Sequence, residues 1–180
     1  LGVIKPPVQL TRSECDDISK CFFIYKFRNY EQDVEYGIRQ LVDIGVKAIS
    51  PAVNDPTTCV NCIHYLGVII KELAGRDVVS REAKSMRAHD IVLKEPTFEQ
   101  YVDDAFDHIF QYGRRDHVIV RAIIAVMTEV IEATQSVDRA EVIVKEIADM
   151  ELRVLDTDAR SFALAEQRKY VLKSLSKFYS

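Results

Sequence analysis

Three observations predict a mainly α fold of the α+β kind, a five- or six-helix assembly with a small antiparallel β element near the N-terminus. Apolar residues recur at helical spacing over most of the chain from residue 33 onward. Helix-starting and helix-stopping residues bracket each of those stretches. The strand candidates, short β-branched and aromatic runs next to Pro or charged residues, fall within residues 1–30 and 80–95. The expected organisation is therefore one domain over 1–180, with β-containing segments at 1–30 and 80–95, a helix pair at 33–75 and a helical remainder at 97–180.

Val3 to Leu10 holds Pro6 and Pro7, which confines any strand there to an edge. Cys21 to Arg28, CFFIYKFR, and Met86 to Leu93, MRAHDIVL, are the other two strand candidates. From Val34 to Ile49, Val34, Ile38, Leu41, Val42, Gly45 and Ile49 share one side of a helix, opposite Arg39, Gln40, Asp43 and Lys47. Ser50-Pro51 stops it, because a residue before proline disfavours helix. Asn54 or Asp55 can cap the next helix, Pro56 suits its first turn and Gly75 ends it. Cys59, Cys62, Leu66, Ile69 and Leu73 form one apolar stripe on it, and Val60, Ile63, Gly67, Ile70 and Ala74 a second beside the first. So broad an apolar face implies a central, buried helix. Gly45 and Gly67 are expected to mark a close crossing of these two helices.

Thr97-x-x-Gln100 has the pattern of a capping box, opening a helix to Tyr112 with Gly113 as its stop. Asp116 caps a further helix to about Thr134, Ser136 or Asp138 begins one to about Leu155, and a last one covers about Ala159 to Phe178.

Composition narrows the classes of function. With 180 residues, 48% of them hydrophobic and 29% charged, the chain can bury a real core and has no disordered tract. A net charge of −4 and an absence of clustered Lys and Arg argue against a nucleic-acid partner. Four cysteines without a dense framework fit a reduced, cytosol-facing protein. The longest apolar stretch, Val118 to Val130, is broken by Arg121 and Glu129 and cannot span a bilayer. The start at Leu1, without an initiating Met, is what would be expected of a domain excised from something longer.

The most conspicuous motif is Cys59-x-x-Cys62-x-His64. On a helix the two thiols lie about 60° apart, while the imidazole lies roughly 140° or more from either, so the three do not converge. A structural zinc site needs four ligands, and no second ligand pair exists; covalent haem attachment needs His directly after the second Cys. The cysteines are therefore expected to pack as small core residues. Asp104 with His108, and Asp103 with Asp107, are i, i+4 pairs read as solvated or locally bonded side chains. No nucleophile elbow, phosphate loop or dinucleotide fingerprint is present, so no catalytic residue, metal or cofactor is assigned.

What remains is a polar concentration at the first helix connection: Arg39, Asp43, Ser50, Asn54, Asp55 and Thr58, with His64 nearby in sequence. Asn54 and Asp55 suffice to shape and cap a proline-bracketed turn, and Arg39, Asp43 and Lys47 can pair along one face. The alternative is a pocket for a small polar ligand at the helix N-terminus.

The same residues carry a family resemblance. DVEYGIRQLVDIGVKAISPAVNDPTTCVNCIHYLG, from Asp33 to Gly67, resembles the signature of the predicted integral membrane proteins grouped as domain of unknown function 2254. Gly37, Gln40, Leu41, Val42, Asp43, Ser50, Pro51, Asn54, Asp55, Pro56 and Thr58 match it. FEQYVDDAFDHIFQYG is a weaker echo. Ala52 stands where the family usually has Gly, so that position cannot demand a positive φ. The resemblance implies transmembrane helices preceding this part in the full protein, a bacterial inner-membrane location, and this chain as its soluble, cytoplasmic C-terminal part. It implies no reaction. The expected role is a non-enzymatic assembly or regulatory module of a channel, transporter or sensor, forming a homo-oligomer and reaching the membrane through segments absent here. Exposed apolar patches on the later helices would suit such a contact. The alternative is a ligand-binding or hydrolytic domain using Arg39, Asp43, Asn54 and Asp55.

Overall fold

A computed structural model of the chain describes residues 3–4, 11–20, 33–76, 83–84, 90–92 and 96–154. Six helices carry the described fold: α1 (Arg12–Lys20), α2 (Val34–Ala48), α3 (Pro56–Gly75), α4 (Phe98–Gly113), α5 (His117–Ala133) and α6 (Val137–Arg153). Strands β1 (Val3–Ile4), β2 (Ala83–Lys84) and β3 (Asp90–Val92) are two or three residues long and pair antiparallel in the order β1-β3-β2, with Val3 opposite Val92 and Ala83 opposite Ile91. Pairing on this scale makes no layer of the domain, and the fold is mainly helical. The expected strand at Cys21 to Arg28 and the expected last helix from Ala159 lie outside the described residues.

Local signals place the helix ends. Asp33 accepts from the backbone N–H of Tyr36 at 2.9 Å to start α2, and Asp55 does the same from Thr58 at 3.1 Å to start α3. Thr97 and Gln100 form the full capping box of α4, Asp116 caps α5 and Ser136 caps α6. Each such cap satisfies an N–H that has no partner within its helix.

α1 was not expected. Thr11 and Glu14 nevertheless form a capping box, the Thr11 N–H donating to the Glu14 carboxylate at 2.8 Å and the Glu14 N–H to the Thr11 hydroxyl at 3.4 Å. No residue of α1 is buried.

The core lies among α2 to α6 and centres on α3, which packs most extensively on α5 and α2. Cys59, Ile63, Leu66 and Ile70 from α3 meet Phe106 and Ile109 of α4 and Ile123, Met127 and Ile131 of α5 in one fully buried cluster. Each large side chain so buried contributes on the order of 1.5–3 kcal/mol relative to exposure. α3 and α5 run parallel with a constant offset: Lys71 bonds Glu129 at 3.0 Å, 58 residues on, and the Thr134 hydroxyl reaches the Ala74 carbonyl at 3.4 Å, 60 residues on. α4 and α6 are also parallel, Glu99 with Lys145 and Asp107 with Arg153 each being 46 residues apart. Arg139 at the start of α6 donates to the carbonyls of Leu73 and Ala74 at 3.2 and 2.6 Å and closes the C-terminus of α3.

The expected crossing of α2 and α3 at Gly45 and Gly67 needs correction. A Cβ at Gly45 would lie 3.1 Å from Ile109 of α4 and 3.5 Å from Cys62 of α3, whereas one at Gly67 would lie 2.2 Å from Val126 of α5. Gly67 therefore marks the α3–α5 contact. The two glycines lie on different faces of the bundle because α3 is flanked on both sides.

Candidate functional site

The six polar residues at the first connection divide into two local groups. Arg39 and Asp43 pair along the exposed side of α2, with Nε to Oδ1 at 3.0 Å. Ser50, Asn54, Asp55 and Thr58 build the turn. The Ser50 hydroxyl donates to the Lys47 carbonyl at 2.7 Å, and the Ser50 carbonyl accepts the N–H groups of Val53 and Asn54 at 3.0 and 2.9 Å. The Asp55 N–H donates to the Ala48 carbonyl at 2.8 Å, tying the start of α3 to the end of α2.

Asn54 takes φ of 50°, the one non-glycine residue with positive φ among those described. Asparagine tolerates this left-handed conformation better than most residues. Ala52 is not in that region, as its side chain requires. The Thr58 hydroxyl and N–H both donate to Asp55 and hold its carboxyl below the ordinary 3.8. His64 and Asn61 are exposed on α3, facing away from the core.

The cysteines behave as the helical angles require. Cys59 is fully buried and Cys62 nearly so, while His64 is exposed on another side of α3. Burial first, then Cys62 and Asp116, pushes the Cys59 thiol up to about 12, and burial raises Cys62 as well. Neither thiolate is accessible as a nucleophile or metal ligand near neutral pH.

Two features escaped the sequence. Asp103 and Asp107 of α4 meet Glu146 of α6, the three carboxylates offering oxygens within 4.8 Å of one another. Burial and neighbouring carboxylates raise Asp103 and Glu146, and the guanidinium of Arg153 bonds Asp107 and lies 3.3 Å from Asp149. Hard divalent cations favour such oxygen donors, but here Arg153 already neutralises part of the charge. Nearby, His108 Nδ1 is buried without a hydrogen-bond partner, its ring edge-on to Tyr112 at 5.3 Å, so Asp104 does not bond it there.

The second feature is an open, largely apolar groove of about 480 Å³ between the N-terminal half of α2 and the C-terminal half of α3. Val34, Gly37 and Leu41 line one side, Val68, Ile69 and Leu73 the other, with Gln40, Glu72 and Arg76 completing the lining. Its signal in the sequence was the width of the apolar stripes on both helices, wider than one neighbour can cover.

Fold and site together define a helical domain whose recognisable feature is a capped helical hairpin. The chain belongs to the family described as predicted membrane protein (DUF2254), which it matches over residues 3–129. It is 29% identical over 152 residues to uncharacterized protein Rv1290c of Mycobacterium tuberculosis (strain ATCC 25618 / H37Rv) and to uncharacterized protein Mb1321c of Mycobacterium bovis. Each alignment covers 83% of this chain and 28% of the relative, so the chain spans about a quarter of their length. No solved structure matches it. Among the described residues no helix is long and apolar enough to cross a membrane.

Proposed function

We propose that this chain is the cytosol-facing part of a bacterial inner-membrane protein and acts as a non-enzymatic assembly or regulatory module of a channel, transporter or sensor. Membership of a membrane-protein family, with no spanning helix among the described residues, motivates the first part of this reading. The apolar groove between α2 and α3 carries the second. It exposes Val68 and part of Val34 on a soluble surface, in a shape suited to the apolar face of a helix from a second copy. This reading puts the contact on the first helix pair, beside the exposed apolar residues that the later helices also carry.

The polar residues of the turn serve this module structurally. Arg39 and Asp43 neutralise each other, and Asp55 is engaged by Thr58. Sedimentation equilibrium of the 180-residue chain tests the reading: self-association is expected at high concentration and its loss in Val68→Glu. A chain that stays monomeric throughout refutes the assembly role.

A further inference from the structure

The parallel packing of α3 and α5 brings two turns to one end of the bundle. With an offset of 58 to 60 residues between the helices, the first turn of α5 at His117 stands level with Thr58 in the first turn of α3. The α2–α3 turn and the α4–α5 turn at Arg114 and Arg115 therefore share this end. The effect of Asp116 on Cys59 is consistent with that proximity.

This end combines exposed apolar tips with cations. Pro51, Ala52 and Val53 are all exposed at the crest of the first turn, Val53 by 51%, while Tyr112 and Val118 on either side of the second turn are 64% and 43% exposed. Lys47 and Arg115 are exposed and Arg114 partly so, and among the described residues none of the three has a carboxylate partner in an ion pair. The carboxylates on the two turns, Asp55 and Asp116, are occupied as helix caps, Asp116 accepting from the Val118 N–H at 2.8 Å. The crest is held in place by Asn54 at positive φ and by three backbone hydrogen bonds to Ser50 and Ala48.

We propose that this end of the bundle docks on an anionic phospholipid surface, Val53, Tyr112 and Val118 entering the interface and Lys47, Arg114 and Arg115 meeting the headgroups. Apolar and aromatic tips with basic neighbours are the chemistry of interfacial binding, and cations near an anionic leaflet add attraction within a Debye length. A chain with net charge of −4 that still places cations beside an exposed apolar turn shows a local complementarity. The inference rests on membership of a membrane-protein family and not on self-association through the groove.

The test is co-sedimentation of the 180-residue chain with vesicles of phosphatidylcholine alone and with about 30% phosphatidylglycerol. Binding is expected with the anionic vesicles, weakening as salt rises. Arg114→Glu with Arg115→Glu, and separately Val53→Asp, should each lower partitioning at least about tenfold. Arg76→Glu, a charge reversal half as large beyond the far end of α3, should leave it unchanged, as should Val68→Glu in the groove. Circular dichroism melts confirm that each variant is folded. Absence of binding at low salt, or equal losses in Arg76→Glu, overturns the proposal. So does indifference to Val53→Asp, which would mark a general polyanion surface.

Discussion

Replacing Gly67 by alanine is the most direct probe of the core, because the contact it disturbs is specified to the atom. The new Cβ would lie 2.2 Å from Val126 Cγ1, and ordinary carbon separations of about 3.5–4.0 Å require α3 and α5 to part by well over an ångström locally. Val126 is buried and β-branched, with one strongly preferred helical rotamer, so its methyl cannot turn aside cheaply. Overpacking of this kind costs about 1–3 kcal/mol, against roughly 1 kcal/mol gained from replacing a helical glycine. Leucine adds bulk without further propensity gain and should lose about 2 kcal/mol net, lowering Tm by roughly 4–8 °C in a chain of this size. Urea and thermal unfolding followed by circular dichroism would measure this. Val126→Ala removes the clashing methyl, so the double variant Gly67→Ala/Val126→Ala should be more stable than the sum of its parts by about 1 kcal/mol. Gly75→Ala meets no atom within 4 Å and should stabilise by about 0.5–1 kcal/mol. Unchanged stability of Gly67→Leu, or strict additivity in the cycle, would refute the assigned contact.

Other expectations concern the caps and the charge cluster. Arg139→Met removes two hydrogen bonds to the end of α3 and a cation–π contact with Phe98 at 5.6 Å, and should cost about 2 kcal/mol in urea unfolding. Asp55 has a folded value below 3.8, so the stability it contributes is present above 3.8 and lost as pH falls through the lowered value. Asp55→Ala should accordingly lower Tm at pH 7, with the penalty shrinking on acidification below 3.8. Asp103 and Glu146 run the other way: raised above 3.8 and 4.5 by burial and by neighbouring carboxylates, they weaken the fold at neutral pH and are relieved as pH falls through the raised values. Asp103→Asn should raise Tm at pH 7 and lose that advantage in acid.

Helices α2 to α6 were legible because each carries two independent signs, an apolar stripe and a capping residue, which agree on one span. α1 carried only the cap. Thr11-x-x-Glu14 was present, but without an apolar stripe there was no period to detect, since α1 buries nothing. The Gly67 stripe identified the buried face, yet the partner on that face is Val126 and not α2, because periodicity along one helix does not identify its neighbour. The same limit hid the Asp103–Asp107–Glu146 cluster: its first two members are one turn apart in sequence, while the third and Arg153 arrive from α6. At the polar turn, much of the local chemistry was readable. Asn54 or Asp55 could cap α3; the structure uses Asp55 and leaves Asn54 to adopt the left-handed conformation, a division that the sequence left open.

Cys59 and Cys62 are unreactive only while α3 stays packed, since burial both hides them and suppresses their thiolates. Alkylation at either position is therefore a clock for α3 leaving the core. Exposed Cys15 reacts independently of that event and supplies an internal reference for it.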